Sequence, residues 1–378
     1  MMETFKCMAT CASGLEALVG KELRQLNIDC QVENGRAIFT GTMKEIAHAS
    51  VWLRSADRIK LILKEFEVTT FEQLFDEVYA INWEDYLPLD AHIPVTGKSI
   101  KSKLFSVRDC QALTKKAIVK RISDCYRRYS HLPESGATYP VEIALLKDKA
   151  MVTLDTTGES LFKRGYRLHK GGAPLKETLA ASLVMLTNWK KEMPFVDLTC
   201  GSGTICIEAA MIALNMAPGM NRHFLCETWD FVDPNLFDEE RQRAKEGVEK
   251  QPLTILGSDI DAKMIEIAKE NAQKAGVAEY ITFKQMRLQD FTTKKENGVI
   301  VCNPPYGERL SDKSSVEMLY KEMGEVMRPL TSWSKYILTS DLSFEDYYGQ
   351  KATKRRKLYN GALRTDYFQY WGKKKRDE

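Results

Sequence analysis

Two small α+β units followed by an open α/β domain form the fold class that this chain of 378 residues predicts. Three observations carry that expectation. The length exceeds what one hydrophobic core organises, since domains usually hold about 100 to 200 residues. Strands and helices mix irregularly up to about residue 165, after which short apolar strands alternate with helical segments. Two of those later strands run into loops suited to a ligand, one rich in glycine and one in proline. A composition of 44% apolar and 28% charged residues supports packed cores and excludes a disordered or fibrous chain.

The first unit, residues 1–69, opens with a strand at Phe5 to Ala9, where side chains alternate. Leu15, Leu18, Val19 and Leu23 have helical spacing over 15–26. A returning strand at Arg36 to Thr40, a helix at Met43 to Trp52 and a strand at Ile59 to Val68 complete a ferredoxin-like arrangement. The second unit, 70–165, starts on the helical face of Phe71, Leu74, Phe75 and Val78, followed by a strand at His92 to Thr96. Cys110 to Tyr126 is a helix bearing Lys115, Lys116, Lys120 and Arg121, which offers either phosphate contacts or a plain solvated face. Tyr139 to Leu146 and Lys149 to Asp155 flank a Lys-Asp corner and read as a hairpin.

From residue 166 onward the pattern is that of an open α/β sheet, whose ligands sit beyond the carboxyl ends of the strands. Strands are expected at Pro194 to Leu198, Thr254 to Ser258, Tyr280 to Lys284, Gly298 to Cys302 and Lys335 to Thr339. Helices are expected at Pro174 to Trp189, Thr204 to Leu214, Ala262 to Ala275 and Val316 to Met327. The stretch from Pro218 to Lys250 reads as an insertion, either a lid or a surface excursion.

Fifty-five basic and 52 acidic residues nearly balance, but residues 351–378 hold ten basic and three acidic ones. That concentration suits phosphates as well as a solubilising end. Nine cysteines, with no secretory leader ahead of the first strand, point to reduced thiols in the cytoplasm. The five histidines are scattered and the cysteines never pair with zinc spacing, so no metal is expected. The most apolar stretch, Ile205 to Ala217, contains Glu208 and Asn215, so no membrane span is expected either. No obligate protein partner is evident, and the oligomeric state is left open.

The chemistry concentrates at strand ends. Asp197-Leu-Thr-Cys-Gly-Ser-Gly-Thr204 places an acid before Gly201 and Gly203, where a ligand can approach the backbone closely. It is neither a Walker loop nor a Gly-x-Gly-x-x-Gly dinucleotide fingerprint. Asp259 ends the next strand and suits ribose hydroxyls, whereas Asp261 reads as a helix cap. Asp290 follows a further strand, where it suits an adenine amine, a cap or solvent. Asn303-Pro-Pro-Tyr-Gly307 follows Val299 to Cys302. There the Asn303 oxygen and a neighbouring carbonyl can accept both hydrogens of an amine, Pro304 stiffens the turn and Tyr306 stacks on a planar base. That set suits methyl transfer to an exocyclic ring amine, a reaction that needs alignment and no covalent enzyme adduct.

With these motifs the chain resembles the THUMP-containing, class I S-adenosylmethionine-dependent RNA guanine-N2 methyltransferases of bacteria. Leu161-Phe-Lys-Arg-Gly-Tyr-Arg167 and Pro174-Leu-Lys-Glu-Thr-Leu-Ala-Ala181 also look like that family's passage into its catalytic domain. The resemblance covers nearly the whole chain. It implies a Rossmann-like methyltransferase domain behind ferredoxin-like and THUMP modules, the THUMP module binding RNA, and ribosomal RNA as the partner, with transfer RNA as the alternative substrate. It also implies S-adenosyl-L-methionine as cofactor, its methionine part at Asp197, Gly201 and Gly203, its ribose at Asp259 and its adenine at Asp290. The target base then meets Asn303, Pro304 and Tyr306. Leu198 stands where relatives commonly carry proline, which alters stiffness at the first motif. In this family the last segment reads as a hairpin turning at Tyr359-Asn-Gly-Ala362, with Arg355, Arg356 and Lys357 near the RNA.

Overall fold

A computed structural model describes residues 3–167, 175–305 and 313–373. Its N-terminal part runs β1 (Phe5–Thr10), α1 (Glu16–Gln25), β2 (Cys30–Glu33), β3 (Arg36–Gly41), α2 (Met43–Trp52), β4 (Arg58–Glu67), α3 (Phe71–Tyr79), β5 (Val95–Ile100), α4 (Val107–Cys125), β6 (Val141–Leu146) and β7 (Lys149–Asp155). Local chemistry explains several boundaries. Thr42 and Glu45 form a capping box at α2, with Lys44 N–H donating to Thr42 Oγ1 at 3.2 Å and Thr42 N–H to Glu45 Oε2 at 2.7 Å. Thr70 and Gln73 do the same for α3. The β6–β7 corner is a two-residue turn with φ of 51° at Lys147 and 62° at Asp148, the mirror-image geometry that matches strand twist.

All seven of these strands form one sheet, ordered β2-β3-β1-β4-β7-β6-β5. The two units are therefore continuous through the antiparallel pair β4·β7, which runs from Lys60↔Asp155 to Glu67↔Lys149. Strand β2 was absent from the expected elements, because Cys30–Glu33 is short and half exposed. Strand β5 begins at Val95 rather than His92, which makes only an isolated bridge to Thr138.

The second sheet uses α5 (Glu177–Met185), β8 (Phe195–Asp197), α6 (Thr204–Ala213), α7 (Leu236–Glu246), β9 (Ile255–Asp259), α8 (Ala262–Ala275), β10 (Ile281–Gln285), β11 (Val299–Cys302), α9 (Lys313–Met327), β12 (Ser334–Thr339), α10 (Phe344–Tyr348), β13 (Lys354–Asn360) and β14 (Leu363–Tyr370). Its order is β10-β9-β8-β11-β12-β14-β13. The first five strands are parallel and the final hairpin is antiparallel. Every residue of β11 is fully buried, as a central strand covered on both faces requires. The last hairpin turns one residue later than expected. Asn360 pairs with Leu363, and Gly361, at φ +65°, takes the first corner with Ala362 the second.

The insertion is neither lid nor excursion; it straps the sheets together. Trp229 stacks on Tyr139 at 5.0 Å and donates its Nε1 hydrogen to Thr138 O at 2.9 Å. On α7, Glu240 Oε1 lies 2.6 Å from His48 Nδ1 and accepts from Trp52 Nε1 at 2.9 Å, both on α2. Gly219 comes so close that a Cβ there would sit 2.7 Å from Val51 Cα. A buried ionic chain makes a second tie. Glu22 accepts from the Arg54 amide at 2.8 Å, and Arg164 donates to Arg54 O at 2.6 Å while its Nε lies 3.5 Å from Glu208 Oε1. Tyr166 donates to the same oxygen at 2.9 Å. Burial draws the Arg54 guanidinium down to about 10 and raises the Glu22 carboxyl. Replacing Arg164 with Met strips the buried Glu208 of one of its cations and leaves it the Tyr166 phenol and the charge of Arg54, and urea unfolding is expected to show a loss of about 3–5 kcal/mol. A loss below about 1 kcal/mol is what an unimportant surface pair would give.

Candidate active site at the carboxyl edge of the parallel sheet

Register builds the site. In the parallel pair β8·β11, Phe195 lies level with Val299 and Val196 with Ile300. Two residues on, Leu198 N–H donates to Cys302 Sγ at 3.4 Å. The loop after β8 and the Asn303-Pro-Pro segment after β11 thus leave the sheet side by side. On the other flank β9 pairs with β8 through Asp197↔Gly257, which brings Asp259 to the same edge.

Asp197 is buried and accepts from Thr199 N–H at 3.0 Å. Burial, with the nearby charge of Asp259, pushes its carboxyl up to about 7. Asp259 is bound to the glycine loop itself: Gly201 N–H donates to its Oδ2 at 2.9 Å, and Asp261 N–H to its Oδ1 at 3.0 Å. A carboxylate has about four acceptor sites, so outward-facing lone pairs are left for a ligand. Asp261 caps α8, accepting from Lys263 N–H at 2.8 Å. The two glycines differ. Gly201, at φ +51°, has nothing within 4 Å of where a Cβ would stand, so its side of the loop is open. Gly203, at φ +80°, is packed under Phe283, whose ring carbon would lie 2.8 Å from a Cβ; glycine there serves the turn into α6.

Asn303 is half buried, and its Oδ1 atom is enclosed without a hydrogen-bond partner among the described residues. An unpaired buried acceptor costs about 1–3 kcal/mol, which a donor from a ligand would recover. Pro304 is buried, whereas Pro305 faces the open side. Tyr306 lies outside the described residues.

A cleft of about 340 Å³ runs between these elements, lined among others by Leu198, Thr199, Asp259, Ile260, Leu288 and Pro305. Sequence reading missed Ile260, which is 66% exposed right beside Asp259. An isoleucine set between two aspartates at a strand end was the available signal. Gln289 also lines the cleft, while Asp290 is exposed at the end of the short turn Leu288–Asp290.

The basic residues expected to meet phosphate are unequally free. Lys115 donates to Ile93 O at 2.9 Å and pairs with Glu134 at 2.6 Å. Lys116 is exposed, with no ion pair among the described residues. Arg355 bonds Asp366 at 2.7 Å and lies 4.6 Å over the Phe368 ring, so it braces the hairpin. Arg356 and Lys357 follow it on β13; Lys357 is exposed and lies over Tyr359 at 5.3 Å. Among the described residues no cluster of His, Cys, Asp and Glu could hold a metal, and no helix is long and apolar enough to cross a membrane.

Comparison with known proteins gives this geometry its kin. Residues 164–369 match an RMKL-like methyltransferase domain (UPF0020), residues 6–60 an RlmL ferredoxin-like domain and residues 68–155 a THUMP domain. The candidate RNA methyltransferase YpsC of Bacillus subtilis is 53% identical, over 98% of this chain and 97% of that protein. Ribosomal RNA large subunit methyltransferase K/L of Pseudomonas aeruginosa is 32% identical over 96% of this chain, which spans about half (52%) of that longer protein. The crystal structure of SMU.472, a candidate methyltransferase complexed with SAH, superposes with a TM-score of 0.95 at 53% identity, covering 100% of both chains. The chain belongs to the RMKL-like methyltransferase family, with a ferredoxin-like and a THUMP domain ahead of a Rossmann-like methyltransferase sheet.

Proposed function

We propose that this protein transfers the methyl group of S-adenosylmethionine to the exocyclic N2 of a guanine in RNA, in the cytoplasm, and that its substrate is large-subunit ribosomal RNA. Residues 1–69 form the ferredoxin-like module, 70–165 the RNA-binding THUMP module and 166–378 the methyltransferase domain. The observation that carries the reading is the enclosed Asn303 oxygen, without a hydrogen-bond partner among the described residues, one strand away from an open glycine loop. The guanine N2 follows the resemblance borne by the Asn303-Pro-Pro-Tyr and Asp197 motifs, and the ribosomal substrate follows the activity named for the Pseudomonas aeruginosa relative.

Bound S-adenosylmethionine supplies a sulfonium methyl, an electrophile strong enough for a ring amine. The residues fit it. Asp197 and the open face of Gly201 hold the amino-acid part, Asp259 accepts from the ribose hydroxyls, and Asp290, next to the lining Gln289, accepts from the adenine amine. Asn303 and an adjacent main-chain carbonyl accept both hydrogens of the guanine amine. Those bonds aim the nitrogen lone pair at the methyl carbon and favour the positive charge that develops on nitrogen. Pro304 holds Asn303 in place and Tyr306 stacks on the base.

Labelled methyl transfer to unmodified total RNA, followed by nucleoside analysis, is expected to yield N2-methylguanosine. Asn303→Ala should lower the rate by about 100-fold or more with cofactor affinity retained. N6-methyladenine as product, or a fully active Asn303→Ala, would overturn the assignment.

Asp197 provides a pH test. Its folded pKa stands above the unfolded value of 3.8, so its contribution to stability is complete below 3.8 and is lost as pH rises toward about 7. The ligand ammonium prefers the ionised form, so S-adenosylhomocysteine should bind more weakly as pH falls below about 7, approaching tenfold per unit. Asp197→Asn should bind weakly with no such slope, and a sloping variant would remove Asp197 from that role. At the hairpin, Arg356→Ala with Lys357→Ala should lower the salt dependence of RNA binding by about one per lost phosphate contact. An unchanged slope would place the hairpin away from RNA.

A further inference from the structure

The catalytic cleft is not the one surface suited to RNA, because the tip of the second unit carries an exposed aromatic ring on an edge whose cations have no ion pair among the described residues. After β5 the chain bends through Lys101, at φ +51°, into the segment that precedes α4. That segment is bonded to the β6–β7 corner. Lys147 N–H donates to Ile100 O at 3.0 Å, Lys103 N–H to Asp148 Oδ1 at 2.7 Å and Asp148 N–H to Ser102 Oγ at 3.0 Å. Lys101, Lys103 and Lys147 are thereby gathered on one exposed edge, and none of them has an ion pair among the described residues. Asp148, the acid in their midst, has one oxygen engaged by the Lys103 amide.

Phe105 stands on the same segment with 83% of its surface in solvent. It is held there: its N–H donates to Lys103 O at 3.1 Å, the adjoining Leu104 is buried, and Ser99 Oγ donates to Leu104 O at 2.7 Å. An exposed aromatic face on the same edge as three exposed lysines fits a polyanion whose planar groups are exposed. A single ring is too small for an apolar protein interface, and a duplex buries its base faces. Stacking of a base on an aromatic ring, with flanking phosphates on lysines, is how unpaired nucleic acid is bound without sequence preference.

We propose that this tip binds an unpaired stretch of the RNA substrate, one base stacking on Phe105 and neighbouring phosphates meeting Lys101, Lys103 and Lys147. The inference rests on the RNA reading above and extends it to a contact outside the cleft. The substrate class is then an RNA with a single-stranded segment apart from the methylated guanine.

The test measures binding of the full chain to a short unstructured oligoribonucleotide and to its blunt duplex by fluorescence anisotropy. Phe105→Ala should weaken binding of the unpaired strand by about 5- to 100-fold and leave the duplex unaffected, while Phe105→Trp should restore it. Exchanging Lys101, Lys103 and Lys147 for Gln should lower the salt slope for the unpaired strand by about two. Unchanged affinity in Phe105→Ala, or equal weakening for strand and duplex, overturns the tip while wild-type RNA binding and methylation stand. A wild-type chain that neither binds nor methylates RNA overturns the RNA reading itself.

Discussion

Everything chemical in this molecule depends on two adjacent parallel strands ending level. Because β8 and β11 are neighbours in register, the loop that bends around Gly201 and the stiff Asn303-Pro-Pro segment share one edge, tied by the bond from Leu198 N–H to Cys302 Sγ. Asp259 ties the opposite flank, its carboxylate bonded to the Gly201 amide. Parallel sheets place ligands at such an edge because the backbone groups of the strand ends are unpaired there and the helices that follow are splayed apart. A shift of one residue between these strands would turn Asn303 to the other face of the sheet and dissolve the site.

Rigidity at that edge is supplied from far away. Helix α6 begins directly after the glycine loop, and its Glu208 lies at the end of a buried chain through Tyr166, Arg164, Arg54 and Glu22 into the first unit. The strap containing Trp229 and α7 closes the same junction on an apolar surface. Buried ion pairs contribute little net energy, since desolvation offsets attraction, but each is expensive to break singly. Such a junction favours one relative placement of the modules over many nearly equal ones. That placement matters when RNA is held by one domain and modified by another.

Much of this was legible in the order of the residues. Periodicity located most of the expected helices and strands, Asp261 marked a helix start, and motif chemistry singled out Asp197, Asp259 and Asn303 at strand ends. Illegible parts share one property, dependence on partners remote in sequence. Strand β2 has no apolar alternation of its own and exists through pairing with β3. The strap read as either a lid or a surface excursion because its aromatics meet their surface only after folding. Arg355 looked as available as Lys357, and only the fold shows it bound to Asp366 and Phe368. Gly203, grouped with Gly201 for its backbone, also lacks room for a Cβ because the Phe283 ring lies beneath it.

The sequence by itself determined the chemistry: which side chains can accept, stiffen or carry charge, and which segments must be helix or strand, because these follow from covalent structure and short-range periodicity. Tertiary structure alone decided which of those groups remain unsatisfied. Among the described residues Asn303 Oδ1 is left without a partner, while Arg355 and Lys115 are held in ion pairs. Whether a polar group is free depends on what long-range packing brings within about 3 Å of it, and no local pattern encodes that distance.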